Sequence, residues 1–544
     1  MQEKLFNLYS RKKIHILILI GLCVVLYFVN IGRWDLWDPD EPRYGQVARE
    51  MVSGGDWIIM HFNGKVYADK PPLFFWAIAL SSFLWKGFHS FSVRFPSALF
   101  GTLSVLLTYL LGKRLYSART GFFSALILAT SLEFAYLAVR ANIDATLTFF
   151  TTASIFCFVD WYFREGERRR TLSIYGFYFS MALATLTKGP VGFILPLLVG
   201  LTYLVWQRDW QSIKHMRLVT GMMLFLGVVL AWYLPALAKG GESYLRSTLL
   251  QHTVERYATG WSHAKPFYYY ALRIPVDFLP WSVFLVAATL YGFLAETAEK
   301  RNRFNFLFVW GVVIFVFLSL SKGKRGIYLL PLYPGLSLVV GKLWTDWIDH
   351  SVARLKQDWF SLAVYGLAVG LMVAGVVVPL YCLKRQPSYL TYSLPGAILL
   401  LGAGIAMFLL YRTRHYRAVF LVLVGMMASV FFYTTSVIFP VANESESGRF
   451  LSQEVSARIQ SGDQLGAYGE KTGMYNFYTG IVPITELRNE EELSRFLQSS
   501  GKVFCLAEAK SLAAFQTRGI MPPNVQVITQ RRVGGHMIVL LSNQ

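Results

Sequence analysis

The chain has 544 residues, 54% hydrophobic and only 15% charged, with a formal net charge of +20. No soluble domain hides that much apolar surface, and long apolar runs recur, so the composition describes an all-α polytopic membrane protein. The basic excess sits in short loops between apolar runs and not on one soluble module, which argues against nucleic acid as a partner and for topology signals and membrane-lipid contacts.

In chain order, MQEKLFNLYSRKK precedes an apolar run from Ile14 and lacks a small-residue cleavage site, so it reads as a retained first span. The apolar runs predict thirteen spans: 14–31, 92–112, 119–138, 143–162, 172–186, 189–206, 218–238, 276–294, 304–320, 326–345, 360–380, 394–411 and 417–440. A further apolar stretch, 72–88, is interrupted by Lys86. With the N-terminus inside, Arg11-Lys12-Lys13, Lys113-Arg114, Arg168-Arg169-Arg170, Lys214 with Arg217, Lys300-Arg301, and Arg412 with Arg414 all fall in inner loops. This holds only if 72–88 does not cross. The membrane part then covers 1–440, with two large outer loops at 32–91 and 239–275. From 441 to 544 helical patterns alternate with the strand-like KVFCLA, NVQVITQ and HMIVLLS, predicting a small outward-facing α/β domain. The four cysteines form neither a metal pattern nor a disulfide framework.

The informative cations lie on the wrong side of this topology: Lys70 in ADKPP, Lys188 in LTKGP, Arg256 in QHTVERY, and Lys322, Lys324 and Arg325 in SKGKRGIY. The orientation rule does not account for them. An anionic ligand at the outer membrane surface does, since ammonium and guanidinium groups bind phosphate oxygens well; lipid headgroup contact or pairing with nearby carboxylates is the alternative for any single one. Acids face them. In Asp38-Pro39-Asp40-Glu41, Asp38 is expected to cap a short amphipathic helix, with Pro39 in its first position and Glu41 completing a capping box. That leaves Asp40, and Arg43 with Tyr44 one turn on, as candidates for chemistry. Asp144, at the start of the span from Ile143, is either an N-cap or a second catalytic acid.

The string WDPDEPRYGQVAREM, followed in order by YADKPPL, RANIDA, LTKGPVG and SKGKRGIYLLPLYP, resembles the polyprenyl-phosphate-sugar-dependent glycosyltransferases of the GT-C superfamily. The similarity is to the branch holding the lipid A aminoarabinose transferases and their protein O-mannosyltransferase-like relatives, and it spans roughly residues 10 to 340. The resemblance implies thirteen spans, interfacial helices in the first outer loop and a small outer C-terminal domain. It maps the motif aspartate onto Asp40 and the second acid onto Asp144, the lipid-phosphate grip onto Lys70, Arg256 and Tyr328, and a pocket-lining role onto Tyr67. The chain departs from that pattern at Asp69, where those relatives carry glutamate, and in the Lys-Gly-Lys-Arg before Tyr328.

The expected donor is an undecaprenyl-phosphate-linked sugar, and the expected acceptor lipid A, another surface glycolipid, or a protein hydroxyl. Cleavage of the anomeric bond builds negative charge on the departing phosphate, which Lys70 and Arg256, with Lys188 and Lys324, would stabilise. Asp40 would orient or deprotonate the acceptor. No cofactor is required on this reading: there is no Gly-rich phosphate loop, and Asp69 and His252 are only weak metal candidates without metal spacing. A transporter or flippase of lipid-linked sugars is the rival class, but inverted repeats and midplane charges, its usual marks, are not evident.

Overall fold

The structure is a computed structural model that describes residues 12–163, 167–245, 264–294, 297–349, 357–517, 522 and 524–544. Helices dominate because a backbone in lipid has to satisfy its own N–H and C=O groups within the segment. Among the described residues eight helices are long and apolar enough to cross a membrane: Ser90–Leu115, Ile143–Phe163, Leu218–Gly241, Ala298–Leu320, Gly326–Ile348, Asp358–Arg385, Pro387–Arg412 and Tyr416–Glu446. Two bent pairs raise the number to ten if each is one span.

Those pairs correct two predicted continuous spans. Ala118–Ala129 and Leu132–Ala138 meet at 71°, and Tyr269–Asp277 and Trp281–Phe293 at 111°. At the first break the Thr130 and Ser131 hydroxyls donate to the Leu126 and Leu128 carbonyls, and Ser131 takes an extended conformation. At the second, Pro280 has no N–H with which to continue a helix. The breaks satisfy one another: Leu132 N donates to Leu279 O at 3.0 Å, and Trp281 Nε1 to Thr130 Oγ1 at 3.1 Å. Lys13–Phe28 and Val191–Trp206 are apolar but short, and Glu167–Lys188 begins with three arginines, so length and composition alone do not reach thirteen spans. Leu73–Leu84, at 12 residues, is about 18 Å long against a hydrocarbon core of about 30 Å, as expected of a segment that does not cross.

The described chain forms two compact units. The first takes in the residues up to Asn30, Asp69–Phe74 and Pro96–Thr434. Small residues let its helices close: a Cβ on Gly121 would lie 2.2 Å from the Tyr109 carbonyl oxygen. Leu362, Val369, Val373, Val376 and Leu380 stay exposed along Gln357–Arg385, as a lipid-facing stripe should.

The second unit takes in Ile31–Ala68, Phe75–Phe95 and Thr435–Gln544. Its five-stranded sheet runs Thr485–Leu487, Gln464–Tyr468, Val503–Glu508, His536–Ser542, Gln526–Val533; the first three are mutually parallel and the last two join antiparallel. Alternate residues of the central strands enter opposite cores, Phe504 and Leu506 with Leu540 on one face, Val503 and Cys505 with Leu541 on the other.

The acidic segment is built differently from its sequence reading. The helix spans Glu41–Gly54, its N-cap position is Asp40 rather than Asp38, and the Asp40 side chain makes no capping bond. Pro42, not Pro39, occupies the first turn. Glu41 leaves the capping-box role because it is fully buried against Arg94, whose Nε and Nη2 reach its two carboxylate oxygens at 2.7 and 2.9 Å. Arg94 also donates to the carbonyls of Ile31, Trp34 and Asp35 and lies 4.4 Å from the Trp34 ring centroid, so all five of its N–H groups are used. Arg94→Lys keeps the charge but offers only three donors. We expect it to lower the stability of the detergent-solubilised protein by about 3 kcal/mol, read as a fall in thermal midpoint, since at least two of the buried oxygens that Arg94 serves are left without a donor; an unchanged midpoint would contradict this.

Candidate functional site

Consecutive antiparallel helices bring the start of one beside the end of the next. Asp144 opens Ile143–Phe163 and Lys188 closes Glu167–Lys188, and Lys188 Nζ donates to Asp144 Oδ1. Pairing with a nearby carboxylate is thus one role of this wrong-side lysine. The capping role foreseen for Asp144 belongs to Asn142, whose Oδ1 accepts from the Asp144 backbone N–H at 2.7 Å. Ser97 fixes Asn142 in turn by exchanging bonds with its backbone N–H and C=O. Released from capping, the Asp144 carboxylate is 1% exposed, and its Oδ2 has no hydrogen-bond partner among the described residues. The Lys188 ammonium also lies 4.1 Å from the centroid of the Tyr328 ring, a cation–π contact. Tyr328 is carried on the 3-10 segment Gly326–Leu332. Three of the sequence candidates therefore form one assembly: a buried acid, an ammonium and an aromatic face.

Lys324 does not join it. Its Nζ donates to the carbonyl oxygens of Ser321 and Lys265, and burial lowers its pKa below the usual lysine range. The ammonium ties together two chain segments that are also bridged through Ala264 and Gly323, a structural role beside the phosphate role expected of it. Lys70 and Asp69 are half-buried in the loop before Leu73–Leu84. Arg256 and His252 lie outside the described residues.

In the second unit Asp40 is largely buried, and Arg43 Nη2 donates to its Oδ1 at 2.7 Å. The helix spacing sets this pair, three residues apart. The Arg43 guanidinium lies 5.4 Å from the Tyr44 ring, and Tyr44 meets Phe75 edge-on. Tyr67 packs edge-on against the same Phe75 and against Phe62, with its backbone N–H held by Met60 O at 2.8 Å. The structure thus groups Asp40, Arg43 and Tyr44 as neighbours, and Tyr44 and Tyr67 on one shared ring.

Two groups escaped the sequence reading. Arg94 was absorbed into an apolar span, although an arginine inside such a run was the available signal. Asp277 falls at the start of the predicted span 276–294. It is buried and paired to Arg273 Nη2 at 2.7 Å, and Tyr333 Oη donates to its Oδ2 at 3.4 Å. Gly326 lies against the Arg273 guanidinium, where a Cβ would sit 2.8 Å from Nη2. Among the described residues no three His, Cys, Asp or Glu side chains are placed to hold a metal ion.

A family model described as dolichyl-phosphate-mannose-protein mannosyltransferase matches residues 13–239. The undecaprenyl phosphate-alpha-4-amino-4-deoxy-L-arabinose arabinosyl transferase of Pseudomonas paraeruginosa is 32% identical, covering 72% of this chain and 69% of that protein. Its counterpart in Pseudomonas aeruginosa strain UCBPP-PA14 is 31% identical, covering 73% and 71%. Among solved structures, ArnT from Cupriavidus metallidurans bound to undecaprenyl phosphate superposes with a TM-score of 0.81 at 20% identity, covering 97% of this chain and 98% of that one. The Archaeoglobus fulgidus oligosaccharyltransferase gives 0.51 at 12% identity over 92% and 70%. At these identities the structural likeness speaks to fold alone.

A double-mutant cycle tests the acid–ammonium pair. Asp144→Asn or Lys188→Met alone strands one buried group and should cost about 3 kcal/mol, whereas the double substitution should cost less than the sum of the two. Additive losses in the thermal midpoint would show that the pair is not formed.

Proposed function

Because the chain belongs to the undecaprenyl phosphate-alpha-4-amino-4-deoxy-L-arabinose arabinosyl transferase family, polyprenyl-phosphate-sugar-dependent membrane glycosyltransferases of the GT-C class, we propose that it transfers this amino sugar from undecaprenyl phosphate to lipid A. The observation that carries the reading is the ammonium of Lys188, fixed by a buried carboxylate and an aromatic face at the ends of apolar helices. An ammonium held in this way is suited to a lipid phosphate that gains charge as its sugar leaves. The reaction takes place at the periplasmic face of the inner membrane. Support for that side comes from the basic loops, which the orientation rule assigns to the opposite face.

In the transfer the bond from the anomeric carbon to the phosphate oxygen breaks, an acceptor oxygen bonds to that carbon, and undecaprenyl phosphate departs. Lys188, Lys70 and Arg256 take up the charge that builds on the leaving phosphate, with Tyr328 and Tyr67 shaping its surroundings. Asp144 acts through Lys188, setting its position. Asp40 orients the acceptor, with Arg43 directing its carboxylate. A lipid A phosphate is already nucleophilic, so no strong base is needed.

A second reading, with a protein hydroxyl as acceptor, draws on the description of the matching family model. Mass spectrometry of lipid A from cells with and without the gene separates them. The first predicts loss of the aminoarabinose mass increment, the second an unchanged lipid A and lost protein glycosylation. In purified enzyme supplied with radiolabelled donor, Asp40→Asn should lower transfer by about 100-fold or more. Wild-type rates in that variant would remove Asp40 from the mechanism.

A further inference from the structure

Within the second unit a cavity of about 360 Å³ opens between the loop at Asp38-Pro39, the end of helix Phe439–Glu446 and one end of the sheet. Ligand pockets for small molecules begin near this size. Its lining carries four carboxylates, Asp38, Glu446, Glu470 and Glu508, against two basic side chains, Lys471 and His536. His536 Nδ1 is 2.8 Å from Glu508 Oε1, so part of that charge is already spoken for. Neither Asp38 nor Glu470 has a place in the transfer chemistry.

A group of acids alone is only a solvated patch. Here a second observation stands beside it. Tyr475 lines the same cavity, is 1% exposed, and its hydroxyl has no hydrogen-bond partner among the described residues. A buried phenol left in that state costs free energy that a bound donor would recover. Burial, and after it the charges of Glu470 and Asp38, raise the phenol well above its ordinary pKa, so it stays a neutral hydroxyl beside the acids. What fits is a ligand that is positive, compact and rich in N–H donors. A metal ion fits poorly, because among the described residues these acids do not gather in threes at coordinating positions.

We propose that this cavity binds a small organic ammonium, with Glu470 and the Tyr475 hydroxyl as its principal acceptors and Asp38, Glu446 and Glu508 supplying the negative field. The ammonium belongs to an amino sugar or to a free polyamine, and the two sources share the chemistry. The site stands independently of the transfer reaction proposed above.

The test uses the full-length protein in detergent, titrated by calorimetry with glucosamine, with glucose as its neutral counterpart, and with spermidine. Saturable binding of glucosamine or spermidine, at least tenfold tighter than glucose, is expected. Glu470→Gln, nearly identical in shape, should weaken it about tenfold, and Tyr475→Phe about threefold. Burial, then Glu508 and Asp38, push the Glu470 carboxyl up to about 7, while His536 and Lys471 pull it the other way. Affinity for spermidine, which keeps most of its charge over this range, should therefore rise several-fold in the wild type from pH 6 to pH 8 as Glu470 ionises, and Glu470→Gln should flatten that rise. Tighter glucosamine than spermidine assigns the site to an amino sugar, and the reverse to a polyamine. Absence of binding to both amines, equal binding of glucose, or unchanged affinity in both variants overturns the proposal.

Discussion

A charge taken out of water needs an opposite charge and a full set of hydrogen bonds, and that requirement organises the polar parts of this protein. Arg94 meets it most completely. Fully buried, it spends two donors on Glu41 and three on consecutive turns of the loop from Ile31 to Asp35, with Trp34 stacked across its face. The loop leaving the first helix is thereby given one conformation, and the helix carrying Asp40 and Arg43 starts where Glu41 is pinned. Asp35 extends the lattice outward, its carboxylate accepting from Ser447 and Arg449. The candidate chemistry of Asp40 rests on neighbours that do no chemistry.

Three carboxylates within four positions have three different fates. Asp38 faces the cavity beside Glu470, Asp40 holds Arg43, and Glu41 is buried in an ion pair. A capping pattern could not distinguish them, because local spacing says which residues are able to cap and not which one the tertiary structure needs elsewhere. The same difficulty hid Arg94 inside an apolar run and turned Lys324 inward. Glu41 meets Arg94 across 53 residues and Lys324 reaches Lys265 across 59, beyond any local pattern.

The legible parts were those set by local physics. The apolar period located the helices, and the β-branched and aromatic content of Val503–Glu508 and His536–Ser542 marked two central strands. Gln464–Tyr468 was missed because QLGAY carries no β-branched residue, and Thr485–Leu487 because three residues are too few for any pattern. The bends after Ala129 and Asp277 were unread, since the bonds that complete them join segments about 150 residues apart. Within the site, the unusual placement of Lys188 was visible from loop charge, but its partnership with Asp144 needed the helices to be folded side by side.

That partnership bears on how the protein is made. A lone carboxylate or ammonium taken out of water carries a desolvation cost, and at the helix ends where this pair sits that cost is smaller than at the bilayer centre. Asp144 leaves the ribosome one helix ahead of Lys188, and their charges cancel only when both helices stand together. Biosynthesis thus has reason to release Ile143–Phe163 and Glu167–Lys188 into lipid as a closed hairpin, with the future reaction centre serving first as the clasp that makes the pair acceptable to the membrane.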